Sequence, residues 1–290
     1  MNCIFFSIKD EYWKSKNLNY CFIFVSQFLI TMNVQFHKYQ GTGNDFIMLD
    51  NRLNQYDSLT VEQIQFLCDR RFGIGADGLI KINSHSLYPF EVDYSNSDGS
   101  KSFCGNGARC AVEFASTLGV DCDYVTFLAI DGEHQAQKKI NVISIQMQNV
   151  LKIEAKNSDF ELQTGSPHYI RFVEDIESEN IVEFGKSIRY SDDYKVNGIN
   201  VNLVKQAGNQ LEIATYERGV EDETFSCGTG VTAAAIASAY KDQQAGKRHF
   251  DIQTKGGLLQ VDFEYELPMN FTNIWLTGPA EVTFKGEINV

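Results

Sequence analysis

A chain of 290 residues that is 43% hydrophobic can bury a substantial core, and its length falls between one large domain and two of ordinary size. Its 25 basic against 38 acidic residues give a formal charge of −13, with no Lys/Arg run of the kind that follows a phosphate backbone, which argues against a nucleic-acid partner. The seven cysteines are an odd number without the dense spacing of a small secreted scaffold and without a CxxC pair, so reduced thiols in the cytoplasm are expected and a structural zinc, or any other metal, is not.

Residues 1–31 differ in character from the rest of the chain. Their apolar run "CFIFVSQFLI" is ten residues long, short of the roughly 20 needed to cross a bilayer. Asp10 and Glu11 dilute the basic leader that a signal peptide would need. The segment reads as an upstream extension outside the fold, with the working chain starting at Met32 and no membrane partner expected.

From Val34 onward short alternating or apolar runs recur: "VQFHKY", "DFIMLD", "FEVDYS", "YVTFLAI", "VISIQMQ", "YIRFVE", "VNLVKQ", "LEIATYE", "HFDIQT", "LLQVDFEYE", "NIWLTG" and "AEVTFKG". Their length and β-branched or aromatic content predict strands, some joined as hairpins by "KQAGNQLE" and "TKGGLLQ". Four stretches read as helices: "TVEQIQFLCDRR", Gly105 to Leu118, a weak "IESENIVEFGKSI", and Gly228 to Tyr240. "GIGADG" at Gly73 fits G-x-G-x-x-G but comes after a helical stretch, not a strand, and reads as a turn and not a dinucleotide site.

Two of the four helices open on the same turn. "FCGNGARC" places Cys104, and "FSCGTG" places Cys227, directly before a Gly-x-Gly and an alanine-rich run. Each half of the chain thus holds several strands and one helix of small residues, which predicts an α+β fold of two similar halves, each a curved sheet or barrel wrapped around a central helix. The boundary falls near residue 150, giving halves of 32–150 and 151–276.

A lone buried cysteine is usually a small hydrophobe, and that reading suits Cys68, Cys110 and Cys122. Repetition in one context argues otherwise for Cys104 and Cys227. At a helix N-terminus, unpaired N–H groups and the positive end of the dipole favour thiolate and also hold carboxylates. Two such thiols facing each other across a pseudo-twofold axis could remove a proton from one face of a carbon and return one to the other, with the helix N-termini stabilising charge on the adjacent carboxylate. No Schiff-base lysine motif is apparent, so no cofactor is expected.

With "FHKYQGTGNDFIMLDNR", "RRFGIGADGLI", "YSNSDGSKSFCGNGARC", "TGSPHYI", "NGINVNLV" and "YERGVEDETFSCGTG" in this order, the chain resembles the diaminopimelate epimerase family from about Val34 to its C-terminus. The resemblance implies cofactor-free interconversion of LL- and meso-2,6-diaminopimelate on the route to lysine and peptidoglycan, with the C-terminal residues 277–290 returning to the first half. It makes Cys104 and Cys227 the acid/base pair, with Cys227 taking the proton from the LL substrate and Cys104 supplying one, an order the residues themselves leave open. It implies that the backbone of Gly105, Asn106, Gly228 and Thr229 holds the reacting carboxylate, Glu217 an ammonium group and Arg218 the distal carboxylate, while Asn44, Asn96 and Asn200 complete a polar ring and His168 sits beside the thiols. Ser166 stands where the family often has Asn, and "ERGVEDET" carries one residue more than the commoner family pattern. A homodimer is compatible with the resemblance. Proline racemases and phenazine-biosynthesis isomerases share the duplicated design, and a redox-sensing dithiol protein is the non-enzymatic alternative.

Overall fold

The run from Leu259 to Tyr265 illustrates why sheet dominates. Leu259, Val261, Phe263 and Tyr265 are buried while Leu258, Asp262 and Glu266 face solvent, the period-2 pattern of a strand with one wet face. The computed structural model describes residues 32–290, so the reading of residues 1–31 lies outside the described residues.

The chain runs through β1 (Asn33–Gly41), β2 (Asn44–Asp50), α1 (Val61–Cys68), β3 (Gly78–Asn83), β4 (Glu91–Asn96), α2 (Gly105–Thr117), β5 (Val125–Ala129), β6 (Gly132–Lys139) and β7 (Val142–Gln146). It continues through β8 (Ile153–Lys156), β9 (Asp159–Gln163), β10 (Pro167–Phe172), α3 (Ile181–Arg189), β11 (Asn200–Ala207), β12 (Gln210–Glu217), β13 (Asp222–Thr224), α4 (Gly228–Asp242), β14 (Gly246–Thr254), β15 (Gly257–Glu266), β16 (Asn270–Gly278) and β17 (Glu281–Asn289).

The pairing pattern repeats. β1–β2, β3–β4, β5–β6 and β6–β7 are antiparallel, and β2–β3 and β4–β5 are parallel. Point for point, β9–β10, β11–β12, β14–β15 and β15–β16 are antiparallel, and β10–β11 and β12–β14 are parallel. The two copies join where β7 pairs antiparallel with β16, so the repeat is a pseudo-twofold. Each copy ends by lending a strand to the other: β8, at the end of the first copy, pairs with β9, and β17, at the end of the second, pairs with β1.

One helix fills each copy. α4 is buried from Gly230 to Ala239 on every side, as expected of an element enclosed by sheet, and its run of alanines lets the strands approach closely. α2 is buried from Asn106 to Val112 and packs with Phe46, Ile80, Phe90 and Phe127 in a separate core cluster. α1 and α3 lie outside these cores, each connecting a parallel pair of strands. α1 starts on a capping box made by Thr60 and Gln63. Among the described residues no helix is long and apolar enough to cross a membrane.

Candidate active site

Cys104 and Cys227 are the N-caps of α2 and α4, and their backbones match: φ −133°, ψ 118° for Cys104 and φ −123°, ψ 108° for Cys227. Neither thiol caps its helix through the side chain, so the amides of the first turn stay open to other acceptors. Both cysteines are free thiols, Cys227 buried and Cys104 partly so.

The two helix starts are stitched together. Asn106, on the first turn of α2, donates from Nδ2 to the carbonyl of Ser226 at 3.2 Å and to its Oγ at 3.1 Å, immediately before Cys227. Ser226 in turn shares a 2.7 Å hydrogen bond with the Thr42 hydroxyl and donates to the Thr42 carbonyl at 3.0 Å. Gly105 and Gly228 both face Leu276 of β16, and a Cβ on Gly228 would come within 2.8 Å of its Cδ2. The Oδ1 of Asn106, buried without a hydrogen-bond partner, lies 3.6 Å from that same Cβ position and points between the two helix starts.

Around Cys104, Asn44 presents its Oδ1 to the sulfur at 3.5 Å and to Asn106 Nδ2 at 3.4 Å, while its own amide donates to Asp77 at 2.5 Å. Around Cys227, Thr229 Oγ1 lies 3.4 Å from the sulfur and 2.9 Å from His168 Nε2. Asn202 orients that histidine. Its Oδ1 accepts from the Thr215 hydroxyl, so its Nδ2 is the group that donates to the Tyr169 carbonyl at 3.0 Å and to His168 Nδ1 at 3.1 Å. The shorter contacts decide the tautomer: His168 Nδ1 accepts from Asn202 and Nε2 carries the proton toward Thr229, so the Asn200 amide 3.4 Å from Nε2 makes no hydrogen bond to it and the Thr229 hydroxyl proton is left for the sulfur. Gly230 must be glycine, because a Cβ there would sit 2.7 Å from Asn202 Oδ1 and 3.3 Å from His168 Cε1.

The other predicted residues fall on the rim or behind it. Asn200 is buried, receives the Arg218 amide on its Oδ1 at 2.8 Å, and places Nδ2 3.4 Å from His168. Glu217 is partly buried and close enough for its charge to act on both thiols. Arg218 is exposed, with Nη1 donating to the Asn197 carbonyl at 2.8 Å over Gly198, whose φ of +72° and close contact with the Arg218 stem exclude a side chain. Asn96 turns its amide onto Ser100 and Ser102 and meets neither thiol, and Ser166 is half-buried with its carbonyl bonded to the Thr164 amide. The longer "ERGVEDET" turn is accommodated by Glu221 at φ +59°, held by the hydroxyls of Tyr190 and Tyr216 and the Gly219 amide.

Electrostatically the site departs from the lowered thiol pKa expected of a helix N-terminus. Burial pushes the Cys227 thiol up to about 12, aided by the nearby Glu217 charge and opposed by the Thr229 hydroxyl and the Gly230 amide. Burial also raises Cys104, opposed by the amides of Gly107 and Asn106. Desolvation outweighs the helix terminus here, so a thiolate at either position is a strong base. Burial raises Glu217 as well, and burial plus the Arg218 charge drives His168 down to about 3, keeping it neutral.

Reading the sequence missed Thr42, Ser226 and Asn202. A polar residue inside an apolar strand run, as Asn202 is in "NVNLV", is the available signal for a buried polar network. Among the described residues no cluster of His, Cys, Asp and Glu forms a metal-binding group.

The architecture is shared with solved structures of distant sequence. The PhzF-family phenazine biosynthesis protein of Bacillus anthracis superimposes with a TM-score of 0.71 at 11% identity, covering 89% of this chain and 99% of that one. The hydroxyproline epimerase of Agrobacterium vitis gives 0.63 at 11% identity, covering 89% and 91%. The fold therefore places the chain in the structural class that these proteins represent. Sequence narrows the class: the family profile for diaminopimelate epimerase matches residues 36–152 and 160–282. The diaminopimelate epimerase of Flavobacterium psychrophilum is 47% identical over 258 residues, covering 88% of this chain and 100% of the relative, and that of Aquifex aeolicus is 34% identical over 278 residues, covering 88% and 98%. The chain belongs to the diaminopimelate epimerase family.

Proposed function

We propose that the protein interconverts LL- and meso-2,6-diaminopimelate by a two-base mechanism with Cys104 and Cys227 as the proton carriers. The observation that carries this reading is the pair of cysteine-capped helix starts, alike in backbone geometry and tied to one another through Asn106 and Ser226. One sulfur acts as thiolate and takes the α-proton, becoming a thiol. The electron pair left on carbon delocalises into the α-carboxylate, which accepts hydrogen bonds from the amides of Gly105, Asn106, Gly228 and Thr229 at the positive ends of both helices. The opposite thiol then delivers its proton to the other face, and the carbon is inverted with no net change of charge. A desolvated thiolate is basic enough to be matched to a weak carbon acid, which gives the upward push on both thiols a catalytic use.

In this reading Glu217 receives an ammonium group and Arg218 the distal carboxylate, a planar anion that suits its fork of donors. Asn44 and Asn200 hold the polar ends of the substrate from either side, with Asn96 and Ser166 further out. We propose the division of the chain near residue 150 on the same basis, a few residues further on so that β8 closes the first half, each half supplying one thiol. Incubating the protein with LL-diaminopimelate in deuterated water tests the reading: solvent deuterium should appear at the α-carbon together with the meso isomer. A protein that forms only a Cys104–Cys227 disulfide and exchanges no label would instead be a redox dithiol.

A further inference from the structure

The "GIGADG" turn brings a carboxylate up behind Cys104. It places Asp77 directly before β3, and β2 and β3 begin their parallel pairing at Phe46 and Gly78, so Asn44 and Asp77 meet at the entry to the two strands. The Asn44 side-chain nitrogen donates to Asp77 Oδ2 at 2.5 Å, and the Asp45 backbone amide donates to the same oxygen at 3.2 Å. The other oxygen, Oδ1, accepts from Arg70 Nη2 at 2.6 Å. Arg70 is itself fixed by a two-pronged contact with Asp45 at 2.7 and 3.0 Å, and Lys38 pairs with Asp45 at 2.7 Å. Ion-paired in this way, the Asp77 carboxylate offers Asn44 acceptors only.

An asparagine side chain fits the same space with its nitrogen and oxygen exchanged, and a carboxylate partner removes that freedom. With the Asn44 nitrogen drawn to Asp77, Oδ1 turns to the opposite side, where it accepts from the Cys104 thiol at 3.5 Å and from Asn106 Nδ2 at 3.4 Å. Asn106 Nδ2 reaches on to Ser226, so the direction set at Asp77 passes through two amides to the turn before Cys227. The second copy lacks this device. There the parallel pairing begins at His168 and Asn200, and the positions that match Asn44 and Asp77 hold Ser166 and the buried, apolar Ile199. Cys227 meets the Thr229 hydroxyl instead, at 3.4 Å. One sulfur faces an oxygen that can only accept a proton, the other a hydroxyl that can give one.

We propose that Asp77 is a positioning residue that fixes the direction of the Asn44 amide, so that a carbonyl oxygen and not an NH2 group faces Cys104 and holds the proton on that sulfur in the substrate-free enzyme. The proposal rests on the two thiols acting as a pair, for which an acceptor beside one and a donor beside the other separates two otherwise matched groups. Asp77 touches no sulfur; it acts through Asn44 alone.

The test is the pH dependence of iodoacetamide alkylation in the substrate-free enzyme, with Cys104 and Cys227 followed separately by peptide mass spectrometry. In Asp77→Asn, Arg70 keeps the remaining side-chain oxygen on its own side, which puts an NH2 group opposite Asn44; Asn44 then turns over and brings its own NH2 to the sulfur. The Cys104 midpoint should fall by about one unit or more, raising its alkylation below the midpoint about ten-fold, while that of Cys227 stays in place. Tyr94, Arg109, Glu217 and Cys227, the other charged or titratable groups around Cys104, are the same in every protein compared. Arg70→Gln loosens the ion cluster but leaves the carboxylate on Asn44, so it should not move the Cys104 midpoint. Should Asp77→Asn not fold, Asp77→Ser carries the same expectation, since it too frees the Asn44 amide. An unmoved Cys104 midpoint in the folded variant overturns the proposal, and so does an equal fall in Arg70→Gln, which would assign the effect to the cluster and not to the amide. Alkylation is read without turnover, so an enzyme that exchanges deuterium into diaminopimelate while the Cys104 midpoint stays put in Asp77→Asn keeps the function and loses the role of Asp77.

Discussion

Replacing Thr229 by valine removes one oxygen and little else. Valine keeps the β-branched shape, and the backbone carbonyl that receives the Thr164 hydroxyl at 2.8 Å is untouched. What is lost is the hydroxyl between His168 Nε2 at 2.9 Å and the Cys227 sulfur at 3.4 Å. A hydrogen bond to a charged acceptor contributes about 1.5–3 kcal/mol, so the Cys227 thiolate should become harder to form by about one to two pKa units and kcat/KM should fall about 10- to 100-fold. A second, separate effect falls on stability. The Nε2–H of His168, fully buried, is left without its acceptor, at a cost of about 1–3 kcal/mol, or a few degrees in Tm for a chain of this size. Initial rates of epimerisation from each isomer, with thermal melts on the same preparations, separate the two effects. Thr229→Ser should recover most of the activity because it restores the oxygen. If Thr229→Val is folded and works within about two-fold of the wild type, the relay from Asn202 through His168 and Thr229 to the sulfur has no part in the chemistry.

Cys104→Ala and Cys227→Ala should each abolish inversion with the fold intact, as seen by circular dichroism, whereas Cys122→Ala, at the far end of the first core, should keep most of the activity; comparable losses at all three positions would mean the wrong pair was chosen. Lysine, which lacks the distal carboxylate, should show no racemisation by polarimetry, because Arg218 would face the substrate without its anion; comparable rates on lysine and diaminopimelate would remove Arg218 from the site. His168 gives a stability signature of definite sign. It is held neutral down to about 3 in the fold but takes up a proton near 6.5 when unfolded, so its contribution is present above pH 6.5 and is lost as pH falls toward 3, by about 1.4 kcal/mol per unit. Urea midpoints measured from pH 7 to 4 should fall more steeply for the wild type than for His168→Asn.

The parts of the fold visible in the sequence are those whose local pattern agrees with their final setting. Alternation in "LLQVDFEYE" and small residues after Cys227 announce β15 and α4 because one has a single wet face and the other has none. β6, "GEHQAQKK", escapes for the opposite reason: Ala136 is its one fully buried residue, so its sheet pairing leaves no hydrophobic period to read. β3 is hidden behind the "GIGADG" turn, and its Lys81 is buried only because Asp93 on the neighbouring strand pairs with it at 3.0 Å. In the site, the cysteine turns are legible because they recur. Asn202, Thr42 and Ser226 are not, since each takes its meaning from partners up to 184 residues away.

The exchange of β8 and β17 makes the two copies interlocked, not merely adjacent. A catalytic centre divided between two lobes that could drift apart would have to re-establish the alignment of its sulfurs at every encounter with substrate. Here each lobe's outermost strand belongs to the other's sheet, along β1–β17 on one side and β8–β9 on the other, with β7–β16 as the seam between them. With both clasps engaged, these pairings leave one lobe little freedom to slide or twist past the other. The two-thiol inversion proposed above demands that restriction, because a sideways slip of one thiol by an ångström would carry it off the face of the carbon it would have to reach.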